Sequence, residues 1–460
     1  MHIIRADNLR LVILVASLHG LKISTADIEQ AYVTTPIPED SEDHEKYFFR
    51  FEKGFTFEGK EYDSNIWCMQ LLKYLYGMKR AGNRYADAQA KLITEDGEWR
   101  RSFTELALYT KIKEEKDWFS MLTTLVDDLL LADADKTWDD IVEKLAKGGY
   151  TIKICRDVEI DYGGNELIST EDGVYFHRNS FIRKACKAVE IVFECTLKYT
   201  RRHFLPLPEK GTMKAAYENL LKEVNPMMTL KLQFLAGVLN WVLGGGTLTI
   251  AFATHLIQRC MHRGSQFHID LGIHVMTHLK WLVRFEPSNF YPTAKYMLDN
   301  NMELRATTQT DASFADHEDG GSTIARLTRI GRTGVISYGV QKATGTTIST
   351  SGAEIQGGSR GQHDMVATAI VCTDLCHSLE AFDLENDNLQ ALKKLKIDNK
   401  SSRMRHVKQH YFWSRRLGEL GLRRDEIHVG TDDLVVDKMT KNYRKVKEFY
   451  RSMLEVLIFC

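Results

Sequence analysis

With 460 residues, 43% of them hydrophobic and 27% charged, the chain has ordinary globular composition and room for about three domains, which excludes a wholly disordered polymer. Lys plus Arg (61) against Asp plus Glu (62) leaves a net charge of −1, so nucleic-acid binding would have to come from local clustering of basic groups. Eight cysteines are too few for a disulfide scaffold, and the longest unbroken aliphatic run, Leu11 to Ala16, is too short to span a bilayer. With no signal-peptide pattern either, the expectation is a soluble, non-secreted protein with no membrane partner.

Residues 8–19 are apolar nearly all round and stop at Gly20, which predicts a buried helix. Leu21 to Asp27 reads as a strand ending on a carboxylate. Met121 to Ala132 is apolar on both sides of Asp127-Asp128, the pattern of a strand–turn–strand hairpin. Thr137 can cap a helix in which Trp138, Ile141, Val142, Leu145 and Ala146 share one face and Gly148-Gly149 ends the run. Tyr150 to Cys155 predicts a further strand, and Asp172-Gly173 a hairpin turn. From about 180 to 285 the pattern is mostly helical. Leu230, Phe234, Leu235, Val238, Leu239 and Val242 are expected to form one amphipathic face, ended by Gly244-Gly245-Gly246. A second α/β stretch follows from about 303. It has a strand ending at Asp311, another from Gly334 to Val340, a basic aromatic run from Arg403 to Arg424, and a basic C-terminal helix. These changes of character divide the chain into segments 1–190, 191–300 and 301–460, and no internal repeat is visible.

Asp27, Asp127 and Asp128 each adjoin strongly apolar sequence. A carboxylate at the edge of a core is costly unless it is paired or holds a cation. Strand ends converging in one sheet could bring the three together around Mg²⁺, a hard cation that prefers oxygen ligands and supports in-line phosphoryl transfer. Standing alone, an Asp-Asp pair between strands also reads as a polar turn, and Glu29 and Asp87 read as solvent-facing.

The flanks narrow the choice. Thr25-Ala26-Asp27-Ile28-Glu29-Gln30-Ala31-Tyr32, Tyr47-Phe48-Phe49-Arg50 and Gly54-Phe55 resemble the start of the palm in reverse transcriptases of copia-type LTR retrotransposons. Leu72 to Ala81 (LKYLYGMKRA) resembles that family's "LYGLKQAP" segment, and Leu125-Val126-Asp127-Asp128 its "YVDD" box. Leu235-Ala236-Gly237-Val238-Leu239-Asn240-Trp241 is similar to its "VGSLLYL"-like helix. The resemblance implies a multidomain α+β and α/β fold. A right-hand polymerase palm with partial fingers (1–190) and a helical thumb or connection (191–300) would precede a ribonuclease H-like α/β domain (301–460). It implies that Asp27, Asp127 and Asp128 hold two Mg²⁺ or Mn²⁺ ions. Tyr32 would lie under the incoming sugar and disfavour a 2′-OH, and Tyr76 and Gly77 would line the nucleotide pocket. Without the family context Tyr32 and Tyr76 also read as half-buried core tyrosines.

Four further acids appear in a telling order: Asp311 in Thr310-Asp311-Ala312-Ser313, Glu354 after Ser349-Thr350-Ser351-Gly352-Ala353, Asp387 in Asn386-Asp387-Asn388, and Asp437 in Val435-Val436-Asp437-Lys438-Met439-Thr440-Lys441. They resemble the "DADWAG", "STTEAEY", "DNQSA" and "ADxLTK" motifs of the ribonuclease H domain that follows the copia-type polymerase. The resemblance implies a second pair of metal ions and hydrolysis of the RNA strand of an RNA–DNA hybrid. Glu354 in a first helical turn would also be stabilised by the helix dipole, and Asp387 sits in a charged stretch that could simply face water. Arg403, Arg405, His406, Lys408, Arg415 and Arg416, interleaved with aromatics, are candidates for phosphate contacts and stacking, or for a basic outer helix face.

His274 and His278 have metal-compatible spacing but no evident third ligand, Cys372 and Cys376 lack CxxC spacing, and Gly244-Gly245-Gly246 is no P-loop. The sequence departs from the family pattern at Leu125, Gly82, Gly352 and Ile355. Gly357, Gly358 and Gly361 are expected to weaken their helix by about 1 kcal/mol each. Most of the fingers, with their triphosphate grip, are expected to be missing. The implied function is an RNA-directed DNA polymerase with ribonuclease H. It would act on RNA template, DNA primer, hybrid and dNTPs, associated with cytoplasmic particles or nuclear, and its oligomeric state is open. The alternative is a truncated, catalytically impaired remnant that only binds nucleic acid.

Overall fold

A computed structural model describes residues 3–37, 47–63, 65–113, 118–134, 138–208, 211–317, 320–344, 349–375, 377, 379, 381–396, 408–443, 445–454 and 456–459. Helix α1 (Ala6–Leu18) is the buried helix expected from its all-round apolar sequence. The chain forms two compact units, one of residues 1–4 and 21–157, the other of residues 5–20 and 158–460. Helix α1 therefore belongs to the second unit, and the boundaries expected near 190 and 300 both fall inside that unit.

In the first unit, β1 (Lys22–Glu29) leads to the short helix α2 (Ala31–Thr34). Two small hairpin sheets follow, β2 (Phe48–Arg50) with β5 (Cys68–Gln70) and β3 (Thr56–Phe57) with β4 (Lys60–Glu61). Then come α3 (Ala81–Thr94), β6 (Trp99–Arg101), β7 (Leu108–Lys113), β8 (Trp118–Leu125), β9 (Asp128–Asp133), α4 (Asp139–Lys147) and β10 (Thr151–Cys155). The main sheet runs β10-β1-β9-β8-β7-β6 and is antiparallel throughout. Alternating side chains bury Ala26, Ile28, Leu122, Leu129 and Leu131 on the face covered by Tyr85 and Ile93 of α3 and Ile141 and Leu145 of α4. Gly148 and Gly149 end α4 as the sequence predicts, and Thr137 lies outside the described residues.

The second unit continues with an antiparallel sheet of β11 (Glu159–Tyr162), β12 (Asn165–Ser169), β13 (Gly173–His177), β14 (Pro287–Pro292) and β20 (Ile458–Phe459). Between them lie α5 (Asn179–Val192), α6 (Thr212–Glu218), α7 (Pro226–Gly244), α8 (Ala251–Cys260) and α9 (Gln266–Leu282), which share a large apolar core, and α10 (Ala294–Asp299) follows β14. The buried stripe of α7 is Leu232, Leu235, Ala236, Leu239 and Val242. Leu230 and Phe234, expected on that face, are 63% and 36% exposed. The 232–235–239–242 spacing outcompetes the expected one because it meets α5 and α9. By length and composition α7 is also long and apolar enough to cross a membrane, although its apolar residues are interrupted by polar ones. Helix α1 is tied into this unit by Arg10, which donates from Nε to the Ile336 carbonyl (2.9 Å) and from Nη1 to the Gly244 carbonyl (2.8 Å).

Helix α5 is held at its start by a carboxylate from the neighbouring hairpin. Glu166 accepts from the Ser180 amide (2.7 Å) and hydroxyl (2.6 Å) and meets His177 Nδ1 at 3.3 Å. Burial alone would push this carboxyl up, but these partners hold it down at about 2. A carboxyl depressed in the fold contributes stability above its unfolded pKa and loses it as pH falls through the folded one. Between about pH 4.5 and pH 2 the protein is therefore expected to lose stability from this residue, on the order of 1 kcal/mol once solvent screening at this half-exposed site is counted, and Glu166→Gln should remove that part of the acid transition in denaturant melts.

The remaining elements build a mixed sheet ordered β17 (Ser337–Lys342), β16 (Thr323–Ile330), β15 (Ala306–Ser313), β18 (Phe382–Asn386) and β19 (Arg423–His428). The β15–β18 and β18–β19 pairs are parallel. The 25-residue α11 (Thr350–Asp374) crosses it, followed by α12 (Leu389–Lys396), α13 (Lys408–Glu419) and α14 (Val446–Met453). The glycines of α11 differ in how closely they pack. A Cβ on Gly361 would stand 2.6 Å from Thr310 Cγ2 and 2.9 Å from Thr308 Oγ1 of β15, whereas one on Gly357 would meet only ordinary contacts at 3.7 Å and beyond. Gly361→Ala is expected to cost about 1–3 kcal/mol through overpacking, and Gly357→Ala to gain up to about 1 kcal/mol from helix propensity. Opposite shifts in chemical-denaturation midpoints would verify the contrast.

Candidate active sites

Each unit carries one group of the expected acids. In the first, Asp27 and Asp128 are direct register partners across β1 and β9. Val126-Asp127 forms the two-residue turn of the β8–β9 hairpin, with Val126 at φ 63°, a strained left-handed conformation for a β-branched residue. The turn thus falls one residue earlier than the Asp-Asp pair suggested, and Asp128 opens β9. Asp127 also receives the Ile28 amide on its carbonyl (3.0 Å). Asp27 is exposed, and Asp127 and Asp128 are half-buried. Burial, then the charges of Asp127 and Glu29, raise the Asp27 carboxyl above its usual range, against a smaller opposing effect of Lys153.

Tyr32, on α2, stacks at a tilt on Tyr76 (centroids 4.7 Å) and edge-on against Tyr85 (5.6 Å). Its hydroxyl is pushed up by burial and then by the nearby charge of Asp127. Gly77 sits at φ 91° with open space where a Cβ would stand. The three acids are not among the groups of described residues whose ligand atoms all lie within 4.8 Å of one another.

The second group is tighter. Asp311, Asp387 and Asp437 each bring a carboxylate oxygen within 4.8 Å of the others. They come from β15, the end of β18 and the 3₁₀ turn Val435–Met439, and the parallel β15–β18 pairing sets the first two side by side. Asp311 lies two residues inside its strand rather than at its end. Asp311 and Asp437 are buried, and Asp387 is half-exposed and accepts from Thr431 Oγ1 (2.8 Å). Glu354, in the second turn of α11 behind an Ser349 cap, is buried and accepts from Asn386 Nδ2 (3.0 Å). Burial pushes Asp311 up to about 6, opposed by Lys441 and Thr440. Burial, then the charge of Asp311, raises Glu354 well above the usual range. An all-oxygen set with costly buried charge fits a hard divalent cation.

No local pattern signals that Thr440 Oγ1 donates to Asp311, or that Lys438 and Lys441 both grip Asp437. A third acidic group, Asp96, Glu98 and Asp140, is neutralised by Lys111 and Lys144.

The described arginines of the basic stretch are paired with carboxylates. Arg403, Arg405 and His406 lie outside the described residues, as does the side chain of Lys408. Arg415 and Arg416 share the carboxylate of Glu419 (2.9 and 3.3 Å). Arg423 pairs with Glu426 (2.5 Å), Arg424 with Asp383 (2.9 Å), and Trp413 stacks on His363 (4.6 Å). His274 and His278 are core histidines, each bonded to a backbone carbonyl (3.1 and 3.0 Å).

Comparison with known proteins gives a family model, "Reverse transcriptase (RNA-dependent DNA polymerase)", matching residues 1–201. No curated protein matches the chain. Among solved structures, a foamy viral protease-reverse transcriptase in complex with RNA/DNA hybrid is 12% identical over 94% of this chain and 47% of that one, with a TM-score of 0.46. The same protein in complex with dsDNA is 14% identical over 89% of this chain and 67% of that one (TM-score 0.40). RNase H1 from the halophilic archaeon Halobacterium salinarum NRC-1 is 14% identical over 30% of this chain and 91% of that one (TM-score 0.21). The chain spans about half the length of the first of these. Residues 1–201, which contain Asp27, Asp127 and Asp128, match the copia-type reverse transcriptase family.

Proposed function

We propose that the chain is an RNA-directed DNA polymerase with a ribonuclease H activity. The match of residues 1–201 to the reverse transcriptase family carries this proposal, because that segment contains Asp27 facing Asp128 beside Tyr32. Residues 1–190 would serve as palm with partial fingers, 191–300 as thumb or connection, and 301–460 as the nuclease. Asp27, Asp127 and Asp128 would hold Mg²⁺ or Mn²⁺ in the polymerase site, and Asp311, Glu354, Asp387 and Asp437 in the nuclease site. Bound there, two divalent ions would supply an activated attacking oxygen and a stabilised leaving oxygen. The chain's own part is positional. The Tyr32 ring, propped by Tyr76 and Tyr85, would meet the sugar of a deoxynucleotide, with Gly77 leaving room for the chain to approach. In the nuclease site Asn386 and Thr440 fix the orientation of Glu354 and Asp311.

The test is Mg²⁺- or Mn²⁺-dependent primer extension on an RNA template, run beside cleavage of a labelled RNA–DNA hybrid, with Asp127→Asn as the control. Extension that is lost in the control, and hybrid cleavage that survives it, are the expected results. Absence of both activities with retained hybrid binding would instead favour a non-catalytic binding protein.

A further inference from the structure

The nuclease acids already hold a cation of the chain's own. Lys441 Nζ forms an ion pair with Asp437 Oδ1 and lies 3.8 Å from Asp311 Oδ2, so one ammonium bridges two of the three clustered carboxylates. Lys438 is placed differently. It is fully buried, donates to Tyr443 Oη (2.9 Å), rests 4.4 Å over that ring and reaches Asp437 Oδ2 at 3.3 Å. Its partners fix it. The Lys441 side chain is 42% exposed, and its flexible stem can swing to water without uncovering the core. A divalent ion and this ammonium need the same oxygens, and two cations so close repel each other.

We propose that Lys441 is a resident counter-ion that competes with divalent cations for Asp437 and Asp311 and withdraws when one binds. The proposal rests on the nuclease assignment for its biological meaning, but its test reads metal binding alone. The full chain is titrated with Mn²⁺ and free Mn²⁺ is followed by electron paramagnetic resonance, with Asp437→Asn identifying which binding belongs to this site. Lys441→Met should bind Mn²⁺ about tenfold tighter there, within the roughly 5–150-fold span typical of coupled ligands. Lys441→Arg, which keeps the charge, should stay within about threefold of the parent, and ion-free melts in EDTA check that each variant folds.

Unchanged or weaker Mn²⁺ binding by a folded Lys441→Met would overturn the proposal, as would a gain that persists in the Lys441→Met, Asp437→Asn double variant. If the parent binds Mn²⁺ at the site and Lys441→Met tightens it, yet no hybrid is cut, then the nuclease assignment fails and the counter-ion stands.

Discussion

Asp311→Asn is expected to lower hybrid cleavage by about a thousandfold or more and, in the same protein, to raise the ion-free melting temperature. The two effects share a cause. Asp311 is 1% exposed, and burial pushes its carboxyl up to about 6, with Lys441 and Thr440 only partly offsetting that cost. A carboxyl raised in the fold gives stability that is full below its unfolded pKa and is lost as pH rises through the folded value. The ion-free parent should therefore weaken as pH rises through about 6, and the variant should not. Asparagine keeps the shape and can still accept from Thr440, so the Asp311 position stays packed while its charge, the part a cation needs, is gone. Hybrid-cleavage rates with melts at several pH values measure both. Cleavage within tenfold of the parent would remove Asp311 from the site.

How much of this was legible in the sequence differs by element. The β8–β9 hairpin and the convergence of Asp311, Asp387 and Asp437 were legible because short motifs with local spacing carry them. The buried face of α7 is not legible, since two overlapping apolar stripes, one with Leu230 and Phe234 and one without, fit one helix and only its neighbours choose between them. The placement of α1 in the second unit depends on Arg10 reaching Gly244 and Ile336, partners 234 and 326 residues away that no local pattern encodes. Gly361 reads as a helix weakener in sequence and is a close-packing point in the fold, because its cost is set by Thr308 and Thr310 on another strand. The arginines of the basic stretch looked free for phosphate, yet Arg415 and Arg416 face Glu419 and Arg424 faces Asp383. Charge clustering along a chain does not reveal which charges are already matched.

Asp27→Asn should lower primer extension by about a thousandfold with less than about 0.5 kcal/mol change in stability. Asp27 is exposed, so its replacement opens no cavity and strands no buried partner. Its value lies in where its charge sits. It faces Asp128 across β1 and β9, faces Lys153 on β10, and lies within the field of Asp127. Partial shielding from water and those neighbouring acids hold its carboxyl above the usual range, so negative charge is concentrated at one end of the hairpin where a divalent ion would relieve it. Glu29, two residues along the same strand and on the same face, supplies the discriminating control. If the effect of Asp27 were a general field at the sheet edge, Glu29→Gln would reduce extension comparably. If Asp27 is a ligand, Glu29→Gln should change extension no more than a few-fold. Equal losses in the two variants, or retained extension in Asp27→Asn, would mean that the hairpin acids do not form the polymerase centre.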